Sequence, residues 1–431
     1  MLENSGFHGL GIAPGILQVL AKMGFSVPTP IQVQSIPIVI DGKDMMGIAQ
    51  TGTGKTLAFG IPLIQKTLRE KGIGLVVVPT RELAEQVSEA LGKVGAPLGL
   101  KGVTLIGGES ITHQIRTLAR NPQIIIGTPG RIIDHLEQKT LRLGATHTLV
   151  LDEADRMLDM GFAPQLRKII EHLPKERQTL LFSATMPEEI VRMARAYLKL
   201  PIRVEIARSG TTAKDVSQEL FFVAQNEKAR LLEKILQDYR GSVLLFSRTK
   251  HGAKKIARIV RALGHSSAEL HSNKSLNQRR EALEGFKTGK YRVLVATDIA
   301  ARGIDVSTIE LVINYDLPQS AEDYVHRIGR TGRAGEHGHA ISFARPDQKA
   351  DVYAIERLTR SSLPISALPV LPTLSPLHEA ESRLPSLGFG GARPPSSRFR
   401  TPYGASRNPR PAGRQFNRER KGQGPARRRW K

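Results

Sequence analysis

The sequence predicts an α/β fold of two successive units, each a parallel sheet flanked by helices, followed by a basic tail. Short β-rich apolar runs recur along most of the chain and stop abruptly in small or polar residues. Helical segments separate them. Towards the carboxyl end the apolar pattern decays and arginine, proline and glycine take over.

In the first half the runs are LVVVPT (75–80), IIIGTPG (124–130), LVLDEAD (149–155) and LLFSAT (180–185). In the second they are VLLFSRT (243–249), VLVATD (293–298) and LVINYD (311–316). Continuous apolar runs between helices indicate strands buried on both faces, as in a parallel sheet. Ligands of such sheets bind beyond the carboxyl ends of the strands, where the polar residues of these runs fall. The two series are divided near ARSGTTAK (207–214), which is small, polar and glycine-containing. The expected organisation is a first domain over 1–207, a linker over 208–217, a second domain over 218–360 and a tail over 361–431.

A chain of 431 residues suits two or three domains. Its apolar share of 40% excludes a wholly disordered protein. With no cysteine, disulfides and thiolate chemistry are excluded, which suits a reducing compartment. The start MLENSGFHGL lacks a basic, apolar leader pattern, and no run reaches membrane-spanning length. The formal charge of +23 calls for a partner of opposite sign, and nucleic acid leads, because lysine and arginine release phosphate counterions. About half of that excess lies in 381–431, where fourteen Lys or Arg face two Glu. Phe389, Phe399, Tyr403, Phe416 and Trp430 are interleaved there, a composition that predicts disorder and suits sequence-tolerant RNA binding. A merely solubilising tail is the alternative.

GIAQTGTGKT (47–56) reads as a phosphate loop. Gly52 and Gly54 let backbone N–H groups approach phosphates, Lys55 reaches the β- and γ-phosphates, and the Thr56 hydroxyl is placed to ligate Mg²⁺. Ala49 stands where the pattern has its first glycine. TLVLDEAD (148–155) gathers three carboxylates in four positions of a basic chain. A phosphate-loop enzyme needs Mg²⁺ held from the end of a neighbouring strand, which fits Asp152, and a group to orient or deprotonate water, which fits Glu153. Complementing a helix dipole would explain one carboxylate, not three. HRIGRTGR (326–333) spaces Arg327, Arg330 and Arg333 by three, so that on a helix they share a face. They are candidates for transition-state charge supplied from the second unit, or for a nucleic-acid patch.

Together these motifs, from about Phe7 to Asp347, resemble those of the DEAD-box ATP-dependent RNA helicases, with a finer likeness to the bacterial RhlE-type branch in GIAQTGTGKT and HSNKS. The resemblance implies two tandem RecA-like domains, ATP and Mg²⁺, RNA as partner and a cytoplasmic location. It makes GFSVPTPIQ (24–32), with Phe25 and Gln32, an adenine-reading motif, and Phe7 an aromatic stacked on the base. It extends the nucleotide site over Ala49, Gln50, Thr51, Gly52, Thr53, Gly54, Lys55 and Thr56, and adds Asp305 on the ribose. Lys55, Asp152, Glu153, Arg330 and Arg333 become catalytic. Asp155, Ser183, Thr185 and His326 become the elements coupling hydrolysis to domain closure. Arg81, Gly108, Thr128, Pro129, Arg131, Arg248, Arg279 and Thr297 become RNA contacts with few base contacts among them. One departure is Leu276, where the family pattern Gln-x-x-Arg has Gln; it puts one RNA contact in doubt, and the basic tail is a candidate to compensate.

The function so implied is ATP-dependent, local and non-processive unwinding of short RNA duplexes. An RNA-binding or annealing scaffold and a translocating DNA helicase are its rivals. Ribosome assembly, mRNA decay and cold adaptation are all compatible settings.

Overall fold

The computed structural model describes residues 6–49, 52–206, 216–301, 309–332 and 337–373. Most of the expected linker and the basic tail beyond 373 fall outside the described residues. Two sheets are present. The first joins β1 (Met45–Ile48), β2 (Ile73–Val77), β3 (Gly102–Leu105), β4 (Ile124–Gly127), β5 (Thr146–Leu151), β6 (Gln178–Ser183) and β7 (Ile202–Glu205) in the order β3-β4-β2-β5-β6-β1-β7. The second joins β8 (Val216–Phe222), β9 (Val243–Phe246), β10 (Ser267–Leu270), β11 (Val293–Ala296), β12 (Leu311–Asn314) and β13 (Gly338–Ala344) in the order β10-β11-β9-β12-β13-β8. Every pairing in both is parallel.

Parallel neighbours need crossovers, and the intervening amphipathic helices supply them. Each sheet is thereby covered on both faces, with two apolar clusters apiece. The predominantly apolar strands β2, β4, β5, β9, β11 and β12 occupy the interior of their sheets, where side chains on both faces lose water.

The expected tail does not begin at 361 as free chain. Leu363 is buried, Leu220 N–H donates to Pro364 O (2.8 Å), and Ser366 N–H donates to Leu220 O (2.9 Å). Arg230 Nε then donates to Pro372 O (2.7 Å). This extended segment covers the open edge of β8, which would otherwise present unpaired backbone groups.

Candidate active site and nucleic-acid interface

The expected residues leave the carboxyl ends of the strands. β1 leads into the phosphate loop, β2 into Arg81, β3 into Gly108, β4 into Thr128, β5 into Asp152 and β6 into Thr185. In the second sheet β9 leads into Arg248, β10 into the helix Leu276–Lys287 and β11 into Thr297.

Gly54 has φ +90° and caps the helix Lys55–Arg69. Its carbonyl accepts from Gln32 Nε2 (3.0 Å), while Gln32 Oε1 accepts from Thr29 N–H (2.9 Å). A Cβ at Gly54 would lie 2.5 Å from Gln32 Nε2 and 2.8 Å from Thr29 Oγ1. Gln32, expected on the adenine, thus has both ends of its amide engaged in holding the phosphate loop to the helix Pro30–Ile40. Thr29 was not singled out in the sequence, although its place three residues before Gln32 is a capping-box signal. Lys55 is buried and donates to Ala49 O (2.9 Å). Thr56 follows it in the first turn, after Gly52 and Thr53. Phe7 is buried in the apolar cluster of the first half, whereas Phe25 is 41% exposed. Gln50, Thr51, Asp305 and Arg333 lie outside the described residues.

Asp152 and Glu153 are buried beyond β5. Glu153 takes a left-handed φ of +51°, unusual for a residue with a side chain, and its N–H donates to Asp152 Oδ1 (2.9 Å). Its Oε2 is buried without a hydrogen-bond partner. Burial pushes the Asp152 carboxyl up to about 6, outweighing the Lys55 cation, with Glu153 adding to the rise. Asp155 turns the other way: its Oδ2 accepts from Ala184 N–H (3.1 Å), Thr185 N–H (2.9 Å) and Thr185 Oγ1 (2.9 Å). The side chain of Ser183, at the end of β6, is buried.

Arg156, the next residue, reaches the second half and pairs with Asp323 at 2.9 Å, both largely buried. Arg156, Asp323, Asp298, His326, Arg327 and Arg330 line one small cavity between the halves. Arg327 and Arg330 do not share a helical face. The helix Ala321–Ile328 stops at Gly329, so Arg330 lies in the turn beyond it. Arg327 is buried in the second half, forked onto Asp298 (2.5 and 2.8 Å) and donating to Asn314 Oδ1 and Asp316 O. Arg156, Asp298 and Asp323 escape a sequence reading because their partners are remote in the chain.

Among the expected RNA contacts, Arg81 lies against Gly107 and Gly108, where a Cβ at either position would crowd its guanidinium. Thr128 and Pro129 open the helix Pro129–Glu137, and Arg131 donates to Gln114 Oε1 (2.9 Å) and Glu109 O (3.3 Å). Arg248 is exposed and donates to Leu317 O (3.3 Å). Thr297 N–H donates to Leu270 O (3.1 Å). Arg279 instead meets Glu82 of the first half at 2.8 Å.

A phosphate loop at the end of one parallel sheet, with arginines carried by a second, defines a two-sheet nucleotide-hydrolysing class. Residues 29–193 match the DEAD/DEAH box helicase family and residues 227–335 the helicase conserved C-terminal domain. The DEAD-box ATP-dependent RNA helicase CshA of Geobacillus kaustophilus is 44% identical over 360 residues, which is 83% of this chain and 77% of that protein. The ATP-dependent rRNA helicase RRP3 of Debaryomyces hansenii is 41% identical, over 88% of this chain and 80% of its own. The structure of S. cerevisiae Dbp5 bound to RNA and ADP BeF3 is similar with a TM-score of 0.77 at 30% identity, over 84% of this chain and 95% of Dbp5. The chain belongs to the DEAD-box ATP-dependent RNA helicases, with two tandem RecA-like domains.

Proposed function

We propose that ATP and RNA together close the two halves, that closure permits hydrolysis, and that the closed form destabilises a short RNA duplex locally without travelling along it. The observation that carries this reading is the continuity of the acidic loop. Within five residues it holds two buried carboxylates at the phosphate site, grips the 183–185 loop through Asp155, and reaches the second half through Arg156. A change at the phosphate end is therefore felt at both other points.

In this reading Lys55 holds the β- and γ-phosphates, and backbone donors of the glycine loop surround them. Glu153 takes a proton from the attacking water as its oxygen bonds the γ-phosphorus and the bond to ADP breaks. The buried, unpartnered Oε2 of Glu153 suits that task. Arg330 and Arg333 meet the charge that develops on the transferred group. The elevated Asp152 carboxyl is a buried acid in want of a cation, so the residues fit Mg²⁺, with Asp152 and Thr56 as its protein-side holders. Mg²⁺ would neutralise phosphate charge there. Among the described residues no group of three or more acidic or histidine side chains could hold a metal, and an ion shared with phosphates and water needs none.

RNA is the partner we assign, held mainly by its backbone through Arg81, Gly108, Thr128, Pro129, Arg131, Arg248 and Thr297. The Debaryomyces relative is an rRNA helicase, which supports ribosomal RNA precursors among the substrates, with RNA turnover as the second setting. A cytoplasmic site is part of the proposal; among the described residues no helix is long and apolar enough to cross a membrane.

The test is steady-state ATP hydrolysis with no nucleic acid, with single-stranded RNA and with DNA of the same length. RNA should stimulate turnover strongly and DNA weakly. Glu153→Gln should still bind ATP yet lose at least about 100-fold in kcat, the scale of a positioned general base. Wild-type turnover in that variant would remove Glu153 from its role, and equal stimulation by DNA would remove the RNA preference.

A further inference from the structure

The helix Leu276–Lys287 belongs to the second half, but its amino-terminal turn faces the first. Leu276 is 5% exposed and lies in the apolar cluster that contains Leu83 and Ile106 of the first half. A Cβ placed on Gly108 would sit 3.6 Å from the Leu276 Cβ. Arg280 Nε donates to Glu85 Oε1 (2.9 Å), and its terminal Nη2 bridges Glu85 and Glu109 Oε1, the latter at 2.6 Å. Arg280 lies near the helix end where the dipole disfavours a cation, and no acidic residue of its own first turn offsets this. The compensating carboxylates come from the opposite half.

We propose that Leu276 and Arg280 form an interdomain clasp, and that Arg280 is a positioning residue for closure rather than an RNA contact. The inference rests on the reading that hydrolysis requires the two halves to close. It changes the meaning of Leu276. A side chain that cannot hydrogen-bond removes a possible RNA contact, but it fills an apolar seat beside Gly108 and lowers the cost of closing. Arg280 adds direction, since a guanidinium forked between two carboxylates fixes orientation as well as distance. Both groups act only when the halves meet, so their contribution appears as tighter apparent RNA binding, because RNA selects the closed form.

The experiment uses the full chain and compares wild type, Arg280→Glu, the charge swap Arg280→Glu with Glu85→Arg, and Leu276→Gln. Arg280→Glu brings three carboxylates together and should raise the RNA concentration for half-maximal ATP hydrolysis about tenfold, with kcat at saturating RNA within about twofold of wild type. The swap should return that concentration to within about threefold of wild type, because Arg at 85 then faces Glu at 280 and Glu109. Leu276→Gln should raise it about threefold or more by placing an amide in an apolar seat. A folding defect would lower kcat without moving the half-maximal RNA concentration. An unchanged value in Arg280→Glu, a swap that fails to restore, or tighter RNA use in Leu276→Gln would each overturn the clasp. Since the chain has no cysteine, dyes on Lys175→Cys and Lys349→Cys report the separation of the halves independently of turnover. Should wild type hydrolyse no ATP, the catalytic reading fails, while closure at higher RNA in Arg280→Glu still supports the clasp and unchanged closure still overturns it.

Discussion

Asp152 illustrates how a single side chain sets stability against function. Its carboxyl is raised from 3.8 to about 6, chiefly by burial. The folded chain therefore binds this proton more tightly than the unfolded chain. Unfolding free energy falls as pH rises from about 4 through 6, and the loss is complete above that window. A shift of this size corresponds to about 3 kcal/mol at neutral pH. Asp152→Asn should accordingly stabilise the ligand-free protein at pH 7.5 by about 1–3 kcal/mol while abolishing hydrolysis. The gain should shrink below pH 6 and vanish near pH 4, which urea titrations at several pH values without Mg²⁺ or nucleotide would measure. The identity of this residue was legible, because an acid straight after an apolar run beside a phosphate loop has few other uses. The left-handed φ of Glu153 was not legible, since nothing local favours it.

At the scale of elements, the phosphate loop depends on a glycine that two neighbours hem in. Gly54→Ala would force a Cβ into Gln32 and Thr29 and hold a non-glycine residue at φ +90°. Calorimetric ATP titration should show at least about a tenfold loss of affinity, with a folding cost of about 1–2 kcal/mol from the backbone alone. Retained affinity would mean the loop rearranges freely. The strands read from the sequence are those with unbroken apolar runs. Among those missed, β7 with IRVE and β10 with SAEL are short, carry charge and lie at sheet edges, whereas β1 with MMGI and β13 with GHAISFA are interior strands whose short or glycine- and histidine-containing runs give a weak local signal. Proline and leucine without period made 363–373 look like tail. Its fixing comes from pairing with β8, a contact across more than a hundred residues that no local pattern encodes. The spacing of Arg327 and Arg330 does not put them on one helical face, for a local reason: Gly329 ends the helix before Arg330.

The whole molecule is an arrangement in which each half holds what the other lacks. The first carries the phosphate loop and carboxylates, the second the arginines. Between them lie the buried Arg156–Asp323 pair and the proposed Leu276–Arg280 clasp. The proposed closure makes ATP and RNA binding reciprocal, because in it each ligand favours the same closed form. The most direct measurement is the RNA dissociation constant of Glu153→Gln, which should not consume ATP, with and without saturating ATP. The account predicts tightening by about 10- to 100-fold, within the usual range of allosteric coupling. Equal affinity in the two conditions would contradict it, leaving a nucleotide site and an RNA surface that share a chain without sharing a closed state.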